Sequence, residues 1–266
     1  MNISRNNMPI GFFDSGVGGL TVLKEVKKLM PNENFVYFGD TLHVPYGEKS
    51  KEQLLEYSKD ILNFFNEKRC KAVVMACNTT SSTIYEDIKD KYAFKIYPIV
   101  QSIAKILAKT SIQRLGIFAT KATINSGAYE TEIRKYNPEM NVYGQYCPEW
   151  VKIVEDNVSE KPECVEIIKN DLSVMLRRNP QKIVLGCTHY PFLLPILSKY
   201  APKEIFIDPA EYFAHSINTD LLNSGLTKID NSIHTEEFYV SSDPEKFKNS
   251  AKMFYNIESG IQEIKF

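Results

Sequence analysis

The chain has 266 residues, 43% of them hydrophobic, which is enough to bury one large core or two smaller ones. A net charge of −1 implies no basic face, so nucleic acid is not an expected partner. No segment reaches the roughly 18 uninterrupted apolar residues of a membrane span, so no membrane association is expected either. The start, Met1 to Pro9, lacks an apolar core and reads as a loose tail rather than a secretory signal.

Taken in chain order, apolar runs alternate with helical spacing. Ile10 to Phe13 reads as a short buried strand, followed by helical periodicity over Leu20 to Leu29 and a second strand at Phe35 to Phe38. Leu54, Leu55, Ile61, Leu62 and Phe65 mark a helix over Gln53 to Phe65. A strand at Ala72 to Ala76 precedes a helix at Ser81 to Asp90. Further strands are expected at Arg114 to Ala119, Met140 to Tyr143, Lys182 to Leu185 and Glu204 to Ile207, with helical patterns between them. This alternation predicts an α/β protein with mostly parallel sheets covered by helices, and ligands bound beyond the carboxyl ends of the strands.

Five cysteines, Cys70, Cys77, Cys147, Cys164 and Cys187, are scattered along the chain. Their odd number does not suit a disulfide framework, so a reduced, cytoplasmic protein is expected. There is no C-x-x-C pair and the four histidines lie far apart, so no metal site is expected.

Two of the cysteines echo one another. Val73-Val74-Met75-Ala76-Cys77-Asn78-Thr79 and Ile183-Val184-Leu185-Gly186-Cys187-Thr188-His189 are both apolar runs that end in Cys and polar residues. The echo suggests two similar α/β halves, each placing one thiol where a strand hands over to a helix. A lone Cys after an apolar run is usually a small core residue. Here two such thiols, each followed by ligand-capable groups, could stand on opposite sides of a substrate. Inversion of a stereocentre by proton transfer needs that arrangement, and a free thiol, with a pKa of about 8.5, can serve as either acid or base after modest tuning.

Asp14-Ser15-Gly16-Val17-Gly18-Gly19 follows the first strand. It fails both the dinucleotide fingerprint and the P-loop pattern, leaving an acid and a hydroxyl at the mouth of the sheet. Asp14 could orient a thiol or meet a substrate ammonium, and Ser15 could bind substrate. His189 stands beside Cys187 with a side chain suited to proton exchange. Thr79 and Thr188 could bind carboxylate oxygens. Pro45-Tyr46-Gly47 reads as a turn.

Phe13 to Leu20, Tyr37-Phe38-Gly39-Asp40-Thr41, Val44 to Gly47, Ala76 to Thr79 and Leu185 to Pro191 together resemble the glutamate racemases of the cofactor-independent aspartate/glutamate racemase family. Weaker matches lie at Ala119-Thr120 with Thr123, Ser126 to Tyr129, Cys147-Pro148, Val154-Glu155 and Phe238 to Phe254. The resemblance implies two α/β domains with the active site in the cleft between them, and no cofactor. The first domain would comprise residues 1–99 plus 211–266 and the second 100–210, with crossings near Val100 and Ala210. It implies Cys77 and Cys187 as paired acid and base, with Asp14 assisting Cys77, and His189 and Glu155 assisting Cys187. Ser15, Pro45, Tyr46, Gly47, Asn78, Thr79, Thr120 and Thr188 would line the substrate pocket. The implied reaction interconverts L- and D-glutamate and supplies the D-form for peptidoglycan. Competing readings are a racemase of aspartate or another amino acid, another enzyme on the same fold, or a non-catalytic binding relative. The residues leave the assembly open, with a homodimer considered. Thr80, Gln101-Ser102, His43 and Glu149-Trp150 depart from the family pattern and leave pocket and hinge details open.

Overall fold

The computed structural model describes residues 4–229 and 233–266. Six parallel strands form the first sheet, in the order β10-β9-β2-β1-β3-β4. They are β1 (Ile10–Asp14), β2 (Phe35–Gly39), β3 (Ala72–Met75), β4 (Lys95–Pro98), β9 (Glu236–Val240) and β10 (Ile261–Glu263). The second sheet runs β6-β5-β7-β8, from β5 (Arg114–Ala119), β6 (Asn141–Tyr146), β7 (Lys182–Gly186) and β8 (Phe206–Ile207). The central strands β1, β2 and β3 are buried along their whole length, because helices cover both faces of the sheet. That is why they read as continuous apolar runs rather than alternating ones.

Both sheets repeat one topology. From β1 the chain moves to β2 on one side, then returns to β3 on the other; β5, β6 and β7 do the same. A crevice therefore opens at the carboxyl ends of β1 and β3, and another at β5 and β7. The cysteine echo in the sequence falls on the equivalent strands β3 and β7.

Eleven α-helices lie among the described residues, and those that matter here connect or cap these strands. They are α1 (Leu20–Leu29), α2 (Lys51–Glu67), α3 (Asn78–Ile88), α4 (Ile99–Leu107), α5 (Lys121–Ser126), α6 (Ala128–Arg134), α7 (Trp150–Glu155), α8 (Pro162–Leu176), α9 (Leu194–Leu197), α10 (Pro209–Asn223) and α11 (Pro244–Ala251). The start of α2 is set by a capping box, in which Ser50 accepts from the Gln53 amide and the Gln53 side chain accepts from the Ser50 amide. This places the start two residues before the Gln53 expected from apolar spacing.

One apolar cluster runs through both sheets, from Phe12 and Tyr97 through Ile103, Phe118 and Val184 to Ile217. A second, with Phe13, Met75, Ile61 and Phe65, lies under α2. Within the first cluster α10 packs on α1 and α4, so the segments that link the two sheets are themselves core.

Several expectations need correction. The strands β4 and β10 were not anticipated, since each is short and on a sheet edge, and β10 is largely polar. Pro98 closes β4 at an edge, where a missing amide costs little. The helix expected at Ser81 begins at Asn78. The strand expected at Met140 to Tyr143 extends to Tyr146, while the one at Glu204 to Ile207 keeps only Phe206–Ile207 after a 3-10 turn. The loose tail is not loose from Ser4 onward: Lys71 Nζ donates to the Asn6 carbonyl at 2.6 Å and Asn34 Nδ2 to that of Asn7 at 2.9 Å. Residues 1–3 of that tail lie outside the described residues.

Candidate active site

Cys77 is the N-cap of α3, reached directly from β3 through Ala76. Its neighbours Asn78 and Thr79 are the first helical residues, so the thiol and both polar side chains stand at a helix N-terminus. Thr80, one of the departures from the family pattern, is fully buried and donates its hydroxyl to the Cys77 carbonyl at 3.1 Å. It braces the cap. Asp14 ends β1, next to β3, and its Oδ2 accepts from the Gly16 amide at 3.1 Å.

Burial dominates the electrostatics here. It pushes the Asp14 carboxyl up to about 6, against the pull of His189 and the amides of Gly16 and Gly19. Burial also pushes the Cys77 thiol up to about 12; the charges of Asp14 and Cys187 add to this, and hydrogen bonds from Thr80 oppose it. In these surroundings Cys77 is a protonated thiol at neutral pH.

The second thiol has different company. Cys187 follows β7, but the expected helix does not follow it: a turn leads into a 3-10 segment, Tyr190–Leu193. Pro191 allows no backbone donor there, which suits a 3-10 turn better than a helix interior. His189 Nδ1 lies 3.7 Å from Cys187 Sγ, and its Nε2 lies 3.2 Å from Glu155 Oε1 at the end of α7. Burial works against an imidazolium at His189, but the hydrogen bonds to Cys187 and Glu155 outweigh it and raise its pKa to about 10. Glu155 feels burial in the opposite sense, yet the imidazolium holds it below the usual carboxylate range. The chain Cys187–His189–Glu155 thus has the thiol, base and orienter order of activated cysteines.

The two halves close on each other around these groups. Thr188 Oγ1 donates to Asp14 Oδ1 at 3.4 Å. Thr79 and Thr120 hydroxyls lie 2.9 Å apart, Thr120 and Thr123 hydroxyls 3.0 Å, and Thr120 caps α5. A Cβ on Gly18 would stand 2.3 Å from Thr188 Oγ1 and one on Gly47 2.8 Å from Thr120 Cβ, so both glycines are needed for the approach itself. Ser15 lies in the same turn as Gly18 and is 9% exposed. The turn Pro45-Tyr46-Gly47 follows a cis Val44–Pro45 bond, and its Tyr46 hydroxyl donates to Asp40. Asp40 also accepts from Ser241 Oγ at 2.6 Å and faces His43 Nδ1 at 2.8 Å.

Every site residue expected from the sequence therefore lies at this junction. Glu155 is only partly enclosed, with its side chain 30% exposed, and Pro45 is exposed. Not anticipated were Asp40, Thr123 and Tyr129 as supports: Tyr129 donates its hydroxyl to Asn78 Oδ1 at 2.9 Å. Asp40 had one legible signal, an acid directly after a strand-ending glycine. Among the described residues no three His, Cys, Asp or Glu side chains are placed to hold a metal ion.

Two α/β halves that bring one thiol each to a shared buried junction define a class built for two-sided chemistry on a small substrate. Residues 21–217 match the Asp/Glu/Hydantoin racemase family, and the chain belongs to it. It is 38% identical to a glutamate racemase of Caldanaerobacter subterraneus subsp. tengcongensis over 93% of each chain. It is 37% identical to that of Carboxydothermus hydrogenoformans over 98% of each. A crystal structure of glutamate racemase from Francisella tularensis in complex with D-glutamate superposes with a TM-score of 0.91, at 30% identity and 98% coverage of each chain.

Proposed function

We propose that this protein is a glutamate racemase that interconverts L- and D-glutamate with two thiols, one on each face of the α-carbon. By resemblance, the product D-glutamate supplies peptidoglycan synthesis. The boundaries that best fit this reading divide the chain into residues 1–99 plus 211–266 and residues 100–210, which assigns each sheet to one half.

The observation that carries the mechanism is the unlike company of the two thiols. Cys77 is neutral beside a buried acid, while Cys187 sits beside an imidazolium braced by Glu155. In the L-to-D direction Cys187 takes the α-proton, the electron pair stays on the α-carbon, and Cys77 delivers its proton to the opposite face. One thiol and one thiolate remain, with roles exchanged. The D-to-L direction runs this in reverse and starts from the exchanged pair: Cys77 has given its proton to Asp14 or solvent, and Cys187 has taken one from His189 or solvent. Asn78, Thr79, Thr120, Thr188, Ser15 and the Pro45-Tyr46-Gly47 turn would bind the carboxylates and ammonium.

The test is α-proton exchange in D₂O over a panel of free amino acids, for the native protein and two variants. Native protein should exchange both glutamate enantiomers and favour them over aspartate. Cys187→Ala should exchange D-glutamate slowly and fail with the L-form; Cys77→Ala should do the reverse. Net racemisation should fall by at least the roughly 10²–10⁴-fold typical of one general acid or base. A chain that exchanged aspartate better would move the assignment to an aspartate racemase. If both variants exchanged both enantiomers equally, a single shared base would replace the facing thiols.

A further inference from the structure

The carbonyl oxygen of the Asn78 side chain is occupied, because Tyr129 Oη donates to Oδ1 at 2.9 Å. Its amide nitrogen is not: Nδ2 is buried and has no hydrogen-bond partner. A buried amide donor without an acceptor is costly, and proteins keep one chiefly where a ligand supplies the acceptor. Asn78 is the first residue of α3, directly after Cys77, so this donor lies beside the reacting thiol.

Tyr129 reaches Asn78 from the other half. It is carried by α6, which follows β5 and Gly127, whose φ of 63° starts that helix in the left-handed region glycine favours. The tyrosine is 4% exposed and Asn78 3%, so neither has water to compete for this bond. One residue further along, the Thr79 hydroxyl shares its own cross-half hydrogen bond with that of Thr120. Consecutive residues of the first turn of α3 are thus each held by a hydroxyl from the second sheet.

An amide can present either its oxygen or its nitrogen to a cleft, and the two choices suit opposite charges. A hydroxyl donor fixed on Oδ1 forces the nitrogen outward, where it complements an anion. We propose that Tyr129 is a positioning and specificity residue, which locks the Asn78 amide with its N–H donors facing the cleft to receive a substrate carboxylate. The inference rests on the racemase reading above. It makes recognition depend on closure, since the lock forms only when α6 meets α3. It also favours a carboxylate over a neutral amide or an ammonium at that place.

The experiment is a double-mutant cycle with Tyr129→Phe and Asn78→Ala, read by steady-state racemisation of D-glutamate and by calorimetric binding. Tyr129→Phe keeps the ring and removes only the lock. KM and Kd should rise about 5- to 50-fold, the span of one lost hydrogen bond to a charged ligand, with kcat within about threefold and a melting temperature lowered by several degrees at most. Asn78→Ala should raise KM at least as much. In that background Tyr129→Phe should have no further effect, because the tyrosine acts through the amide. Independent, multiplying effects would overturn the inference, as would an unchanged KM in Tyr129→Phe or a loss confined to kcat. If Tyr129→Phe fails to fold, Asn78→Asp decides: a carboxylate facing the cleft should repel substrate and weaken binding more than Asn78→Ala, and equal or better binding would overturn the inference. A native protein that exchanges no glutamate overturns the racemase reading itself, whereas a racemase indifferent to Tyr129→Phe overturns only this assignment.

Discussion

Asp14 and His189 carry opposite pH signatures. Asp14 must be a carboxylate to accept a proton from Cys77, and its pKa of about 6 means that it loses this form as pH falls below 6. His189 has a pKa of about 10, so the imidazolium beside Cys187 is lost as pH rises past 10. We therefore expect a bell-shaped profile of kcat/KM in the free enzyme, with limbs near those values. Asp14→Asn should abolish the acid limb along with most activity, and His189→Asn the alkaline one. The same shifts act on stability. The folded state binds the Asp14 proton more tightly than the unfolded chain, so stability falls as pH rises from the ordinary carboxylate range through about 6. Asp14→Asn removes that cost and should raise the urea midpoint relative to native protein more at pH 8 than at pH 4. Equal differences at both would show that the carboxyl is not held in its acid form. His189 acts on stability in the same sense in a higher window: its contribution is full below the ordinary histidine range and lost as pH rises through about 10.

At the scale of elements, turns rather than helices decide whether the halves meet. The turn after β1 packs against the turn after β7 at Gly18, whose added Cβ would fall 2.3 Å from Thr188 Oγ1 and 3.0 Å from His189 Cε1. Alanine is compatible with its backbone, so Gly18→Ala should fold normally. It should nevertheless lose activity by about 10²-fold, as a misplacement on the order of 1 Å in a proton-transfer site does. Circular dichroism and racemisation measured on the same sample check this; near-native activity would mean that the loop yields. Strand-end chemistry was legible in the sequence because β1, β3 and β7 are buried on both faces and announce themselves as apolar runs. The close approach of Gly18 to Thr188 was not, since the 169 intervening residues of chain carry no local mark of it. The departures from the family pattern were equally opaque. Gln101 bonds twice to Ser81, through Oε1 at 2.8 Å and Nε2 at 2.9 Å, and so ties α4 to α3. Trp150 donates to Asp171 Oδ2 at 2.7 Å and packs on Tyr190, the chain neighbour of His189. Such long-range partners define supports that no window of sequence contains, whereas the reacting groups themselves sit where topology places every ligand site of this fold class.

For the whole molecule, burial sets the problem of access. Asp14 is 0%, Cys77 5%, Cys187 7% and His189 2% exposed, so little surface of the reacting groups is open to substrate. Parting of links such as Thr188 to Asp14 and Thr79 to Thr120 would widen the approach. Alkylation by iodoacetamide should then depend on opening. Its rate should level off with reagent concentration at the opening rate, and saturating D-glutamate should slow it by favouring closure. Cys70 provides the internal control. It precedes β3, at the end of the sheet away from the chemistry, and burial pushes its thiol up to about 12. Peptide mass spectrometry over the time course should show Cys77 or Cys187 modified in step with lost activity, and Cys70 unmodified. Full activity after stoichiometric modification of Cys77 or Cys187 would remove the thiols from the mechanism. Modification of Cys70 at the same rate would show that the reagent enters by global unfolding rather than by parting of the two halves.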